Sequence, residues 1–208
     1  MTNACNIATV KQSDINAIAK LAYDTGFFGD SLNATPISYD LWKAIYVDPY
    51  FTAKKTFGYV AKRGNEILGY IIGGENIHIN KYYNSNKIRL IFKAMVGKNI
   101  IANIYLLYHL AVTPIKKADD YKYPVHFHMA VRKDSRGNGC GSRLLINFVE
   151  LARDMGYPGI QIGVAEESIV AINMYRKHMF KEYAKWKTKM WSLILHKEVE
   201  YIRMVKSL

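Results

Sequence analysis

Glycines at alternate positions could bind a phosphate group in this chain of 208 residues. They lie in the stretch Arg136-Gly137-Asn138-Gly139-Cys140-Gly141, which stands between a predicted strand and a predicted helix. Alternate glycines allow a tight turn that exposes successive backbone N–H groups, and the following helix adds the positive end of its dipole. The pattern therefore predicts a phosphate or pyrophosphate site, although glycines that serve only the turn would produce the same letters.

Two histidines alternate on the strand before this loop. His126 and His128 share one face of the strand predicted at residues 125–131, because successive side chains of a strand point to opposite faces. The pKa of imidazole suits a general base, and Glu166 and Glu167, after the next predicted strand, are rival bases. A packed histidine and a solvated loop carboxylate are the structural alternatives. No third ligand is evident, so we expect no metal site.

The elements that must position these residues predict an α/β fold. Residues 1–75 have the order β-α-α-β-β, with helix caps at Ser13 and Ser38 and a hairpin at Gly64. Beyond residue 124 strands alternate with helices, which favours a sheet with at least one parallel pair in a single domain over residues 1–208. The later elements are predicted at residues 125–131, 144–152, 160–164 and 168–177, with Ser168 as the cap of the last helix, followed by two strands.

Residues 76–124 interrupt this order. We expect helices at residues 88–96 and 100–112, separated by Gly97-Lys98-Asn99, with Pro114 ending the second. The apolar run of the second helix is shorter than the roughly 20 residues that a membrane span requires. The segment is therefore interpreted as an insertion folded against the main sheet, and no membrane span is predicted.

The positive charge of the chain is concentrated in two segments. The formal net charge is +12 and half of the residues are apolar, which excludes a disordered chain. Residues 1–75 and 125–175 are neutral, whereas residues 76–124 and 176–208 carry the whole excess. A nucleic-acid or membrane-surface module could use the basic insertion, with aromatic residues stacking on bases or entering the interface. A solvated basic surface is the alternative without a ligand.

Cysteine usage and the N-terminus predict a cytoplasmic protein. Cys5 and Cys140 are too few for a disulfide framework, and residues 1–6 lack the apolar run of a secretion signal. A reducing compartment follows from both observations. Cys140 is expected to contribute only its backbone to the loop, since no partner base is evident for a nucleophilic thiol.

Two segments resemble the GNAT superfamily of N-acetyltransferases. Arg136, Gly139 and Gly141 match its acyl-CoA motif, Q/R-x-x-G-x-G/A, and residues 168–180 are similar to its later segment, N-x-x-A-(I)-x-(L)-Y-x-x-x-G-F. Ser168 stands where asparagine is usual. Met179 stands where glycine is usual, which predicts a different turn into the next strand.

The resemblance implies a mixed, mostly antiparallel central sheet with a splayed parallel strand pair, flanked by helices. Acetyl-CoA would be the cosubstrate, bound between the splayed strands, and its acetyl group would pass directly to a primary amine of a small molecule or peptide. Tyr175 matches the family's acid for the departing thiolate, and backbone near Met129 or Ala130 would stabilise the oxyanion. Arg132, Lys133 and Arg136 could assist the phosphates. The residues expected to bind acetyl-CoA are Met129, Ala130, Val131, Arg136, Gly137, Asn138, Gly139, Cys140, Gly141, Ser142 and Ser168.

The acceptor and the partners are predicted only by class. The insertion is expected to form a wall of the acceptor site, so its cations favour an acceptor with an anionic group. A non-catalytic acetyl-CoA sensor is the competing function, and nucleic acid is not expected as a partner because the presumed catalytic half is neutral. Tyr183, Trp186 and Trp191 could build the edge of a homodimer. The insertion residues in question are Lys81, Tyr82, Tyr83, Lys87, Arg89, Lys93 and Lys98.

Overall fold

Seven strands form one sheet in the computed structural model, which describes residues 5–96 and 99–208. They are β1 (Asn6–Thr9), β2 (Thr56–Arg63), β3 (Glu66–Glu75), β4 (Val125–Val131), β5 (Gly159–Ala165), β6 (Lys181–Thr188) and β7 (Val199–Ser207). The strand order is β1-β2-β3-β4-β5-β7-β6, and neighbours are antiparallel except for the parallel pair β4 and β5. The predicted mixed, mostly antiparallel sheet is confirmed.

Helices cover both faces of this sheet. They are α1 (Ile15–Asp24), α2 (Tyr39–Tyr46), α3 (Asp48–Thr52), α4 (Asn76–Ser85), α5 (Lys87–Val96), α6 (Ile100–Val112), α7 (Cys140–Asp154), α8 (Ile169–Lys177) and α9 (Ser192–Leu195). One core cluster, which includes Ile18, Leu41 and Trp191, joins α1 and α2 to the sheet. A second cluster, which includes Leu144 and Phe148, lies under α7 and α8 on the other face. The sheet is therefore the middle layer of three.

The parallel pair separates soon after it begins. Val125 pairs with Ile160 and His126 pairs with Gln161, and no later residues of β4 and β5 are paired among the described residues. The buried side chain of Gln161 secures the paired end, since its Nε2 donates to the carbonyl oxygen of Tyr123 at 2.6 Å. Beyond this point the facing backbone edges of the two strands are free for a ligand.

The insertion is helical, as predicted, but it has three helices rather than two. α5 and α6 fall at the expected positions, while α4 was missed because its apolar residues are few and irregularly spaced. Gly97 and Lys98, predicted as a turn, lie outside the described residues. Asn103, which is fully buried, ties α6 to its neighbours by accepting from the N–H of Ser38 at 3.0 Å. Within residues 5–96 and 99–208, no helix has the length and apolarity required to cross a membrane.

One of the predicted helix caps is confirmed and two are not. The hydroxyl of Ser38 accepts from the N–H of Leu41, as a cap should. Ser13 does not cap α1, which begins after a short 3-10 turn over Gln12–Asp14. Ser168 is at the N-cap position of α8, but its side chain makes no capping hydrogen bond, so its hydroxyl is free to face the cleft described below.

Met179 corrects a second expectation. We predicted that methionine in place of glycine would change the turn into β6. Instead, Met179 has φ +66°, the left-handed conformation that glycine favours. The turn is thus retained, with a conformational cost that is offset elsewhere in the fold.

The two cysteines are joined to each other. Cys5, just before β1, forms a disulfide with Cys140, the first residue of α7, across a sequence separation of 135. The sequence analysis expected no disulfide framework and did not predict this single bond. A cytoplasmic location loses the support of the cysteine count and stays a prediction.

Candidate active site

The glycine loop between β4 and α7 presents a row of free backbone donors. Gly137 and Gly139 have φ +79° and +75°, so a side chain would be strained there although it would meet no atom within 4 Å. Among the described residues, the N–H groups of residues 137–142 donate to no protein acceptor. Free donors at a helix N-terminus suit a polyanion, and the sequence prediction of a phosphate site fits this geometry.

Gly141 differs from the other two glycines in having a close neighbour. A Cβ atom at this position would lie 3.2 Å from Sδ of Met174, so the methionine side chain would have to shift by a few tenths of an ångström. The third glycine therefore packs beside α8, whereas the first two face open space.

Three cations near the loop are already paired. Arg136 donates from Nη2 to the carbonyl oxygen of Gly29 at 2.6 Å and from Nε to that of Val131 at 3.0 Å. Lys133 forms an ion pair with Asp30 at 2.7 Å, and Arg132 is hydrogen-bonded to acidic neighbours. Arg136 fastens the loop to the turn after α1 and also lines the cleft described below, and assistance of the phosphates by these side chains stays a prediction.

The free edge of β4 supplies further donors and acceptors. The N–H of Arg132 donates to Leu68 of the β3 side, so the N–H of Ala130 also faces β3. The N–H groups of Met129 and Val131 therefore face β5, across the gap where the strands separate. Met129 and Val131 fit the predicted contacts to acetyl-CoA, whereas the amide of Ala130 belongs to the sheet.

A cleft of about 880 Å³ extends from the glycine loop across the gap between β4 and β5. Its far half is aromatic: the ring centroids of Trp42 and Tyr46 are 4.1 Å apart, and those of Trp42 and Trp191 are 5.9 Å apart. Phe28 and Tyr201 complete this lining. None of the five was predicted, and only Trp42 and Tyr46, four residues apart on one helix face, carried a readable signal.

Tyr175 lies in the wall of this cleft, as its predicted role requires. It belongs to α8, is 3% exposed and packs its ring against Phe127 and Phe180. Burial raises the pKa of the phenol, so Tyr175 carries its proton at neutral pH.

The two histidines of β4 have different surroundings. Nδ1 of His128 is 2.8 Å from the hydroxyl of Tyr70, and His128 lines the cleft beside Tyr46. Nδ1 of His126 is 2.7 Å from the hydroxyl of Tyr50, and His126 is not among the cleft residues that the structure describes. Only His128 is placed where it could act on a substrate.

Acid is expected to destabilise the fold through these histidines. Burial lowers the pKa of His126 to about 3 and that of His128 to about 4, from an ordinary value of 6.5. Between pH 6.5 and 4 the unfolded chain therefore binds protons that the folded chain does not. As the pH is lowered through this range, the free energy of unfolding should decrease by up to about 1.4 kcal/mol per pH unit for each histidine. Urea unfolding across this range measures the slope.

A double variant isolates this contribution from that of the carboxylates. His126→Gln with His128→Gln should flatten the acid slope, whereas His196→Gln, at an exposed position, should leave it unchanged. Equal slopes in all three proteins would contradict the assignment.

The predicted glutamates divide between two places. Glu166 pairs with Lys185 at 3.5 Å in a shallow depression beyond β5 and is absent from the described lining of the cleft. Glu167 lines the cleft and is 3.3 Å from Nζ of Lys197. Of the two glutamates, Glu167 is the one that reaches the cleft, and a role as base for Glu166 stays a prediction that its position does not favour.

Residues of the insertion and the tail occupy both packed and exposed positions. Of the insertion cations within the described part of the chain, none lines the cleft, and Lys98 is not among the described residues. Tyr82 and Tyr83 are packed, with hydroxyls directed at the backbone of α2. In the tail, Trp186 and Trp191 are buried within the chain whereas Tyr183 is 48% exposed, so the homodimer edge stays a prediction.

Splayed parallel strands, a loop of free N–H donors and a cleft that joins them are features that suit an acyl-CoA ligand. The sequence model of the acetyltransferase (GNAT) family matches residues 27–180. The match covers most of the chain, so the chain belongs to the GNAT acetyltransferase family.

Solved structures share this fold at low sequence identity. SsHAT is 16% identical with a TM-score of 0.73, over 98% of each chain. A putative acetyltransferase, yncA, from Salmonella typhimurium, solved with its cofactor acetyl-CoA, is 15% identical with a TM-score of 0.61, over 99% of this chain and 95% of the other. A ribosomal-protein-alanine N-acetyltransferase from Brucella melitensis is 16% identical with a TM-score of 0.60, over 98% of this chain and 99% of the other. No curated protein sequence matches the chain significantly.

Proposed function

We propose that this GNAT-family chain transfers an acetyl group from acetyl-CoA directly to a primary amine of a small molecule or peptide. The observation that carries the proposal is the row of free N–H donors at residues 137–142, which opens onto the gap between β4 and β5. A pyrophosphate needs several oriented donors, and the pantetheine arm carries amides that can pair with a free strand edge.

The remaining residues of the cleft supply the groups that acetyl transfer needs. The N–H of Met129 faces the gap and can donate to the developing oxyanion. His128 can take the proton of the attacking amine at Nε2 when its Nδ1–H donates to Tyr70, which leaves a lone pair on Nε2. Tyr175 can donate its phenolic hydrogen to the departing sulfur. Transfer then proceeds with no covalent intermediate on the protein.

The acceptor is proposed to carry its amine on an apolar or aromatic body. Trp42, Tyr46, Phe28, Trp191 and Tyr201 line the half of the cleft beyond β4, where aromatic faces favour flat apolar groups and cations. An anionic group is not part of this proposal, because Lys81, Lys87, Arg89 and Lys93 of the insertion are not among the cleft residues that the structure describes.

A glycine pair tests the proposed acetyl-CoA site. Gly139 and Gly64 both have positive φ and open space around them, but Gly64 lies in the distant β2–β3 hairpin. Gly139→Ala should raise the Kd for acetyl-CoA about tenfold, because relief of its strain turns the N–H groups away. Gly64→Ala should leave this Kd unchanged. Isothermal titration calorimetry measures both.

Failure of the wild-type protein to bind acetyl-CoA would overturn the proposal. The acceptor class is measured separately, by CoA release with aromatic amines, aliphatic amines, amino acids, polyamines and peptides. Aromatic and apolar amines should have the highest kcat/KM. A preference for polyamines or for acidic amines would contradict the acceptor class while leaving the transferase proposal intact.

A further inference from the structure

Two helices of the insertion expose an unusually apolar surface. Ile88, Phe92 and Ile101 are 85%, 63% and 77% exposed, and seven other large apolar side chains of α5 and α6 are also exposed. We call this surface the hairpin face. It consists of Ile88, Ile91, Phe92, Met95 and Val96 on α5 and of Ile100, Ile101, Ile104, Tyr108 and Val112 on α6.

The hairpin face points away from the body of the protein. On α5, Leu90 and Ala94 are buried in the core, and the exposed apolar residues occupy the opposite side of the helix. On α6, Ala102 and Leu106 are buried in the same core cluster. Both helices therefore have one apolar side in the core and another in solvent. The side chains on the outer sides are 48% to 85% exposed, and a contiguous apolar surface of this kind marks an interaction site.

Positive charge borders the hairpin face. Residues 76–118 contain no Asp or Glu, while Lys87 and Lys93 flank the apolar side of α5. Arg89, on the same helix, lies 3.8 Å from Asp48 and is partly neutralised by it. Lys98 adds a further positive charge to the sequence between the helices, outside the described residues.

We propose that the hairpin face docks on an anionic lipid bilayer surface. The large aliphatic side chains suit the acyl chains of a bilayer, and the flanking lysines suit its acidic headgroups. The hairpin face therefore fits the boundary between the two. A second copy of the chain would bring like charges together around the same apolar side chains. A nucleic acid would pair with the lysines but would stack on few residues, since all but two of the ten are aliphatic.

The length of the helices sets the geometry of docking. α5 has 10 residues and α6 has 13, both too short to span a bilayer, so they lie in the plane of its surface. This inference is independent of the transferase proposal, because none of the ten residues of the hairpin face lines the cleft. It places the transferase at a membrane surface without a membrane span.

Vesicle flotation tests the proposal with the whole chain. The protein should float with vesicles of an equimolar mixture of phosphatidylcholine and phosphatidylserine, and the bound fraction should fall as salt is added. With vesicles of phosphatidylcholine alone, binding should be weaker by about fivefold for each lysine that contacts the headgroups. Hydrogen exchange should show protection of α5 and α6 when the acidic vesicles are present.

Variants at exposed positions distinguish docking of the hairpin face from nonspecific adsorption of the protein to vesicles. Ile88→Ser with Phe92→Ser should reduce the partition coefficient about 100-fold, since each side chain contributes about tenfold when it leaves water. The matched control is Ile146→Ser with Met155→Ser, two exposed apolar positions at α7 on the other side of the sheet. The control should bind as the wild type does. Equal loss in both variants, or none in either, would overturn the proposal.

Two other results would assign the hairpin face to another partner and would also overturn the proposal. One is a concentration-dependent dimer in analytical ultracentrifugation that Ile88→Ser with Phe92→Ser converts to monomer. The other is binding of a single-stranded DNA oligonucleotide that equals binding to the acidic vesicles and is lost in the same variant.

Discussion

Replacing Tyr175 by phenylalanine is expected to lower kcat about 100- to 1,000-fold, the range for loss of a general acid. The substitution removes one oxygen and keeps the ring, whose centroid lies 6.0 Å from that of Phe127 and 5.5 Å from that of Phe180. Packing is therefore preserved, and the Kd for acetyl-CoA should change by no more than about twofold. CoA release and calorimetry measure the two quantities separately.

The reason is the state of the phenol in the folded protein. A phenol with its ordinary pKa of about 10 is protonated in the neutral range, and burial raises the pKa of Tyr175 further. In the proposed role this proton is shared with the sulfur as negative charge develops there. In the phenylalanine variant the sulfur must leave with no donor from this side of the cleft.

Tyr157→Phe is the matched control for this prediction. Tyr157 packs against the same core cluster, but its hydroxyl donates to Glu75 and it lies away from the cleft. Its substitution should leave kcat nearly unchanged. If Tyr175→Phe retained full kcat, the assignment of Tyr175 as acid would be wrong. A wild-type protein that bound acetyl-CoA but released CoA to no amine would instead indicate the sensor.

The strand, loop and helix proposed to bind acetyl-CoA could be predicted as elements because they are consecutive in the sequence. β4, the glycine loop and α7 follow one another, so strand alternation, glycine spacing and helical periodicity were enough to place them. The direction of each backbone N–H was not readable in this way. It depends on the pairing of β4 with β3, which directs the N–H of Met129 into the cleft and that of Ala130 into the sheet, although both residues line the cleft.

The acceptor half could not be predicted, because it is assembled from distant segments. Phe28, Trp42 and Trp191 belong to three separate parts of the chain and meet only when α1, α2 and the tail pack on one face of the sheet. The sequence showed Trp191 only as part of an aromatic cluster. Its burial in the cleft wall depends on tertiary contacts that no local pattern encodes.

The direction of an individual side chain in a loop could not be predicted from local sequence patterns either. Glu166 and Glu167 are adjacent and chemically equivalent, yet only Glu167 reaches the cleft, because the turn after β5 points their side chains in different directions. In α6 apolar residues occur on all sides, so periodicity predicted the helix but not which side would be buried.

Loss of the bond between Cys5 and Cys140 is expected to lower the free energy of unfolding by about 2 to 5 kcal/mol. The bond closes a loop with a sequence separation of 135, so its removal releases a large part of the unfolded chain from constraint. Since folded domains are stable by only about 5 to 15 kcal/mol, this is a large share. Urea unfolding of Cys5→Ser and of the wild type measures the difference.

Comparison of the wild type with three cysteine variants shows whether the disulfide is the cause of the lost stability. Cys5→Ser, Cys140→Ser and the double variant should lose the same free energy, because each removes the one bond and the effects do not add. Reductant should bring the wild type to this common value and leave the variants unchanged. Titration of two free thiols in the unreduced wild type would contradict the pairing. Because a reducing compartment keeps thiols reduced, the common value is also the stability that the chain would have in a cytoplasm.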